Sequence, residues 1–197
     1  MNIAILIFDE VEVLDFAGPF EVFSLGSRMH GDPWKVFTVG PLPGTILARG
    51  GLKLVPDHTL ESCPPPDVLV VPGGFGTRAL LTQPALLEWI RFKARKAKLV
   101  LSVCTGALVL AKVGLLDGLT VTTHHSSLDR LAALAPTAKI DASVRFHDNP
   151  GTKLRPRIVT AAGISAGIDG ALHVASILAG PGVAAATAHQ MEYFPGR

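Results

Sequence analysis

The chain has 197 residues, of which 48% are hydrophobic and 17% charged, a composition that suits one globular domain with a sizeable apolar core. Its formal net charge at pH 7 is only +2, and its Lys and Arg residues are scattered along the chain. The sequence therefore excludes the concentrated basic surface of a typical nucleic-acid-binding protein, and we expect a small-molecule substrate and no nucleic-acid partner.

Neither a secretory leader nor a membrane anchor is indicated. The apolar start, residues 1–8, lacks a basic leader and runs directly into acidic residues, and no apolar stretch is long enough to span a bilayer. The two cysteines, Cys63 and Cys104, lie in neither a disulfide framework nor a metal-binding spacing. We expect a cytoplasmic protein with free thiols, no membrane contact and no metal or other cofactor.

Short apolar runs alternate with helical segments along the chain. Buried strands are predicted at residues 3–8, 34–39, 68–71, 99–102 and 158–160. Helices are predicted at residues 16–29, 84–96, 106–113, 126–134 and 165–178. Residues 46–55 favour a small hairpin, and residues 141–155 favour irregular or edge structure. This βαβ repetition predicts a single α/β domain, a mostly parallel, flavodoxin-like sheet flanked by helices.

Asp15 is the first candidate site residue, a lone carboxylate in an apolar run. Burial would raise its pKa and make it a usable acid or base. The alternative is that Asp15 caps the helix that follows, a common role for aspartate. The sequence leaves these two interpretations open, and the neighbouring acidic residues Asp9, Glu10 and Glu12 are expected to be solvated.

Gly73 and Gly74 end the strand at 68–71 and are predicted to approach a ligand closely with their backbone N–H groups. In a parallel sheet this turn and the end of the 99–102 strand would open at the same edge, where such folds bind ligands. A simple turn explains the two glycines equally well. The phosphate-binding glycine fingerprints do not occur.

Cys104 stands where an apolar strand stops and a helix begins at once, the arrangement of a nucleophile elbow. Such a turn strains the cysteine backbone and needs small residues two positions away, here Ser102 and Gly106. The helix N-terminus is expected to favour the thiolate and lower the thiol pKa. Further along, His124 or His125 is positioned to act as a base or orienting group. A buried structural cysteine and ordinary packed histidines are the alternatives.

Taken in order, these motifs resemble the ThiJ/PfpI superfamily, whose fold is like that of the class I glutamine amidotransferases. The resemblance covers nearly the whole chain and is carried by residues 5–8, 13–22, 71–74, 102–107, 114–118, 122–124 and 160–169. Within the superfamily the patterns around Asp15, Cys104 and residues 164–169 are similar to isonitrile hydratases and to the amino-terminal domains of AraC-type regulators. The resemblance makes Cys104 the nucleophile and Asp15 the acidic residue that contacts it.

Two departures narrow the resemblance. PfpI-type peptidases carry histidine directly after the cysteine, whereas this chain has Thr105, which disfavours peptidase activity. His125 stands where the hydratase pattern has tryptophan. The regulators continue into a helix-turn-helix domain and this chain ends at Arg197, so we expect a stand-alone enzyme. Dimers are usual in the family, and a homodimer is therefore expected.

The resemblance implies an isonitrile hydratase-like lyase that converts R–N≡C and water to an N-substituted formamide. Cys104 would attack the terminal carbon, Asp15 would move the protons, and the Thr105 hydroxyl would orient the water. Gly73, Gly74 and His124 are expected to contact the substrate, with backbone N–H groups at Gly74 and Thr105 holding the developing charge. Two alternatives remain: a glyoxalase-type enzyme with His124 as base, and a sensing domain in which Cys104 is oxidised.

Overall fold

The structure is a computed structural model that describes residues 1–31 and 34–194. In these ranges it contains eleven strands, which are β1 (Asn2–Leu6), β2 (Lys35–Gly40), β3 (Ile46–Leu47), β4 (Lys53–Leu54), β5 (His58–Thr59), β6 (Val68–Val71), β7 (Leu99–Val103), β8 (Thr120–Val121), β9 (Lys139–Ile140), β10 (Phe146–Asn149) and β11 (Arg157–Ala161). The α-helices of the same ranges are α1 (Val13–His30), α2 (Thr77–Leu80), α3 (Pro84–Lys96), α4 (Gly106–Lys112), α5 (Leu128–Leu134), α6 (Ala166–Ala179) and α7 (Pro181–Gln190).

Seven strands form the central sheet in the order β10-β11-β7-β6-β1-β2-β5. All neighbouring pairs are parallel except β10 and β11, which run antiparallel at one edge. Every residue of β6 and β7 is buried, as expected of strands covered on both faces by helices. Helices α1, α6 and α7 pack on one another, while α4 packs against α2, α3 and α5.

The order of the strands reverses beside β1, and this reversal positions the site. The chain steps from β1 outward to β2, but from β6 it steps the other way to β7. Right-handed crossovers then place α1 and α3 on opposite faces of the sheet, which leaves a crevice at the carboxyl ends of β1 and β6. The carboxyl ends of β7 and β11 meet the same edge, because these strands are parallel to β6.

The predicted α/β class and mostly parallel sheet are confirmed, and each predicted strand and helix has a counterpart. Helix 84–96 and strand 68–71 have the predicted bounds. The hairpin at 46–55 is the antiparallel pair β3 and β4, and the region 141–155 contributes the edge strand β10. Strands β5 and β9 and helices α2 and α7 were not predicted. No helix in the described ranges has both the length and the apolarity needed to cross a bilayer.

Two helix bounds were predicted wrongly. Helix α1 begins at Val13 and not at residue 16, so Asp15 lies inside its first turn. Residues 125–127 form a 3₁₀ turn, and α5 starts only at Leu128. The earlier start of α1 matters for function, because it changes what the Asp15 carboxyl can reach.

Candidate active site

Cys104 occupies the sharp turn between β7 and α4. Its φ angle is +56°, in the left-handed region, which costs a non-glycine residue about 1 kcal/mol or more. The backbone around it holds this conformation: its N–H donates to the carbonyls of Ala161 at 3.1 Å and Ala162 at 2.9 Å, and its carbonyl accepts from the Thr123 hydroxyl at 2.7 Å. The predicted nucleophile elbow is therefore present, and the cysteine is 6% exposed.

The two small residues near Cys104, Ser102 and Gly106, lie in different surroundings. A Cβ atom on Gly106 would lie 2.0 Å from the Val71 carbonyl oxygen, so any larger residue would force β6 and α4 apart. Ser102 lies in β7 and is completely buried, with its hydroxyl making no hydrogen bond to the described residues. The requirement for glycine at 106 follows directly from the close approach of α4 to β6.

Asp15 projects from the first turn of α1 toward the same point and is 0% exposed. Its Oδ2 accepts the Gly73 N–H at 3.0 Å, and its Oδ1 has no hydrogen bond within normal distance among the described residues. The Cys104 thiol and the Ile164 N–H face this carboxyl group. The alternative that Asp15 caps α1 is wrong: the N-cap residue is Glu12, and it makes no side-chain capping bond.

Burial raises the pKa of Asp15 to about 7, and the Gly73 N–H and the Cys104 thiol only partly oppose this effect. The negative charge of Glu12 adds to the rise. A carboxyl with a pKa near neutrality is suited to both accept and return a proton at physiological pH. The predicted acid–base character of Asp15 is thus supported by its surroundings.

The prediction that the helix N-terminus lowers the pKa of Cys104 is wrong for the resting protein. Burial, and after it the charge of the neighbouring Asp15 carboxylate, raise the pKa of the thiol to about 12, against the opposing effect of the Thr105 and Ile164 N–H groups. Two acids in contact titrate as a pair, so above about pH 7 they share one proton and one negative charge. Reaction therefore requires the thiol proton to pass to Asp15.

The N–H groups of the two glycines after β6 do not act as predicted. The Gly73 N–H is taken by Asp15, and the Gly74 N–H donates to the Thr105 hydroxyl at 3.0 Å. Neither is free to hold developing charge, so that part of the prediction is wrong for this arrangement. A Cβ on Gly73 would lie 2.5 Å from the Thr105 nitrogen, which explains why glycine is needed there. Gly74 has a φ of +125°, a conformation suited to glycine.

Thr105 braces the loop that carries these glycines. Besides accepting the Gly74 N–H, its hydroxyl lies 3.2 Å from the Gly74 carbonyl and 3.2 Å from the Thr77 hydroxyl. Thr77 also donates to the Gly74 carbonyl at 2.8 Å. The Thr105 hydroxyl is therefore engaged within the protein, and its backbone N–H near the sulfur is the part of Thr105 that faces the reaction.

Ile164 is a site residue that sequence reasoning placed only inside a family motif. Its φ is +51°, and its N–H faces both the Asp15 carboxyl and the Cys104 sulfur. Gly163 before it gives room for a histidine, since a Cβ there would lie 2.3 Å from His124 Cδ2. The motif at residues 160–169 was the only indication of this residue in the sequence. The left-handed backbone conformation of an isoleucine cannot be predicted from a single sequence.

Both histidines line a neighbouring cavity, but of the two only His124 also lines the cavity that contains Cys104. Their rings lie 4.1 Å apart, and Nδ1 of His124 lies 2.8 Å from the Ser126 hydroxyl. Partial burial and the adjacent His125 lower the pKa of His124, so its neutral form is favoured. The choice between the two, which the sequence left open, falls on His124 for contact with a ligand.

The cavity over Cys104 has a volume of about 270 Å³. Gly74, Thr105, His124 and Ile164 also line it. The sequence did not single out, or assigned to solvent, four further lining residues: Glu12 and the exposed Arg49, Phe75 and Arg78, which form the mouth. Gly73 lies behind this surface, where it holds Asp15. In the described ranges no cluster of three His, Cys, Asp or Glu side chains is arranged to bind a metal ion.

The fold and the site define an α/β protein with a cysteine at a strand-to-helix turn and an acidic partner on the first helix. Residues 1–177 match the DJ-1/PfpI family, and the chain belongs to that family. It is 37% identical to an isonitrile hydratase of Pseudomonas putida over 196 residues, which is 99% of this chain and 79% of that enzyme. The recognised family resemblance is thereby confirmed.

Regulators and solved structures are similar as well. The transcriptional regulator CdhR of Pseudomonas aeruginosa is 29% identical over 185 residues, and the match spans 94% of this chain but only 53% of the regulator. A ThiJ/PfpI family protein from Pseudomonas syringae superposes with a TM-score of 0.85 at 30% identity, covering 100% of this chain and 76% of that one. Drosophila melanogaster DJ-1beta shares the fold, with a TM-score of 0.80 at 21% identity over 98% of each chain.

Proposed function

We propose that the protein is a cysteine-dependent hydratase that adds water to an isonitrile, with Cys104 as nucleophile and Asp15 as proton carrier. The observation that carries the proposal is the buried Asp15 carboxyl facing a strained, cavity-lining Cys104 thiol. The similarity to an isonitrile hydratase over nearly the whole chain supports a related enzyme.

The first half of the reaction forms a thioimidate. The Asp15 carboxylate takes the thiol proton, which removes the charge that had raised the thiol pKa, so the thiolate forms without adding charge to the site. Sulfur then bonds to the terminal carbon of R–N≡C, and the proton held by Asp15 is delivered to that carbon. The product is R–N=CH–S–Cys104, and Asp15 is again a carboxylate.

The second half releases the formamide. Asp15 accepts a proton from water as the oxygen bonds to the thioimidate carbon, and it passes this proton to the nitrogen, which gives R–NH–CH(OH)–S–Cys104. The C–S bond then breaks as the carbonyl forms, the hydroxyl proton passes through Asp15 to the sulfur, and R–NH–CHO leaves. Overall one water is added and neither oxidant nor reductant is consumed. The Thr105 and Ile164 N–H groups near the sulfur stabilise its negative charge whenever it carries one.

The test is a substrate panel with the purified chain. We expect formamide from simple isonitriles and no lactate from methylglyoxal, with all turnover lost in Cys104→Ser. Turnover of methylglyoxal alone would favour the glyoxalase alternative, for which the neutral His124 at the cavity is the available base. Turnover of neither, with stoichiometric oxidation of Cys104, would favour a sensing domain, a role consistent with the similarity to a regulator.

Three expectations about context accompany the proposal. The ligand is a small molecule and not a nucleic acid, the working form is a homodimer, and the protein acts in the cytoplasm. Sedimentation analysis tests the dimer: a single species of one chain's mass at micromolar concentration would contradict it.

A further inference from the structure

We infer that the molecule on which Cys104 acts carries an anionic group of the carboxylate class, which Arg78 binds at the mouth of the cavity. This inference rests on the proposed function in taking Cys104 as the reacting group, and it goes further by naming the substrate class. It is carried by the arrangement of three side chains at the rim, Arg49, Phe75 and Arg78.

Two cations converge on one exposed aromatic ring. Phe75 is 55% exposed, and it stands at the opening of the cavity. The guanidinium carbon of Arg78 lies 4.3 Å from the centre of its ring, and that of Arg49 lies 5.6 Å away. The ring holds Arg78 by a cation–π contact and so limits the positions that this guanidinium group adopts.

The charge of Arg78 is available to a ligand. Arg49 pairs with Glu10 at 2.8 Å, but no carboxylate oxygen in residues 1–31 and 34–194 lies within 4.0 Å of the Arg78 guanidinium. A guanidinium that stacks by its face keeps the N–H donors along its edge free, and these match the two oxygens of a carboxylate. Arg78 thus presents an anion-binding edge beside the cavity.

The inner end of the cavity has the opposite charge. The coupled pair of Asp15 and Cys104 holds one negative charge above about pH 7. An anionic group is repelled from this end and attracted to Arg78, so a substrate with both features enters with its uncharged, electrophilic end toward the sulfur. The 270 Å³ volume restricts such a substrate to a small molecule.

A pair of alkylating reagents tests the inference independently of the proposed hydration of isonitriles. N-(iodoacetyl)glycine and N-(iodoacetyl)glycinamide have the same size and leaving group and differ in one charge. We expect Cys104 to prefer the acid, relative to the preference of free N-acetylcysteine, and the ratio to fall about tenfold in Arg78→Gln. Arg78→Lys should retain part of the preference. Arg95→Gln, which removes an exposed charge from the last turn of α3, should leave the ratio unchanged.

Turnover provides the second arm. With isocyanoacetate and isocyanoacetamide as substrates, Arg78→Gln should raise KM for the acid relative to the amide by about tenfold, with little change in the ratio of kcat values. If the alkylation preference is present and no isonitrile is hydrated, the inference stands and the proposed reaction fails. If wild type and Arg78→Gln give equal reagent ratios, the inference is overturned even where isonitriles are turned over.

Discussion

Replacement of Asp15 by asparagine separates the catalytic role of this residue from its structural role. Asparagine keeps the shape of the side chain and an oxygen that accepts the Gly73 N–H, but it carries no exchangeable acid. We expect turnover to fall by about 10²–10⁴-fold, the range associated with general acid–base catalysis. We also expect the Asp15→Asn protein to be more stable than wild type at pH 8.

The gain in stability follows from the pKa. In the folded protein the pKa of Asp15 is about 7 instead of its ordinary 3.8, so the unfolded chain loses this proton first and stability falls as pH rises between these values. Above pH 7 the full cost is about 4 kcal/mol, because one pKa unit corresponds to about 1.4 kcal/mol. The Asp15→Asn variant would avoid this cost but would leave an amide N–H₂ poorly satisfied, at about 1–3 kcal/mol.

Thermal unfolding from pH 4.5 to pH 8 measures the difference. For a chain of this size about 1 kcal/mol corresponds to 2–4 °C, so Asp15→Asn should melt a few degrees above wild type at pH 8. The advantage should shrink or reverse at pH 4.5, where wild-type Asp15 is protonated. Asp67→Asn is the matched control: hydrogen bonds from the Asn2 N–H and Lys98 hold the pKa of Asp67 below its ordinary 3.8, so its contribution is present throughout this range and the difference from wild type should be the same at pH 4.5 and pH 8. A pH-independent difference for Asp15→Asn would refute the reasoning.

Three further predictions concern the elbow and the partners. Gly106→Ala should unfold many degrees below wild type, because its Cβ would lie 2.0 Å from the Val71 carbonyl oxygen. Gly182→Ala adds a Cβ with nothing within 4 Å and should melt like wild type. Equal melting temperatures for the two variants would contradict this explanation from packing. Iodoacetamide should label Cys104 before Cys63, whose thiol donates a hydrogen bond to a backbone carbonyl. The labelling rate of Cys104 should rise through about pH 7, as Asp15 loses its proton. Equal labelling of the two cysteines by mass spectrometry would contradict activation of Cys104 by Asp15. Finally, duplex DNA should not be retained at physiological salt, and sequence-specific retention in a mobility-shift assay would contradict this.

The elbow at Cys104 was predictable because its causes are local. A buried strand, a cysteine, a helix and a glycine two residues on follow one another in the chain, and that order forces the sharp turn and the left-handed φ that the structure shows. The pKa of the thiol was predicted in the wrong direction for a related reason. The adjacent helix is a local feature of the sequence, whereas burial and the charge of Asp15 come from other parts of the fold.

The start of α1 likewise separates what local sequence predicts from what contacts between distant segments decide. The apolar run around Asp15 indicated a helix and a carboxylate in apolar surroundings, but whether that carboxylate capped the helix or faced the cysteine depended on a shift of three residues. Similarly, the glycines after β6 were correctly singled out as a close approach of backbone. Their N–H groups nevertheless donate hydrogen bonds to the Asp15 carboxyl and the Thr105 hydroxyl. These acceptors cannot be predicted from the glycines themselves.

By itself the sequence determined the α/β class, the strands and helices with strong apolar periodicity, and the elbow at the cysteine, since each depends on residues close in the chain or on a motif order. Only the tertiary structure decided which groups meet. Residues 15, 73, 104 and 164 come together because the carboxyl ends of β1, β6, β7 and β11 lie at one edge of the sheet. Their pKa values, the choice of His124 and the free charge of Arg78 depend on burial and on contacts between distant segments, and a linear pattern does not encode the distances that set those energies.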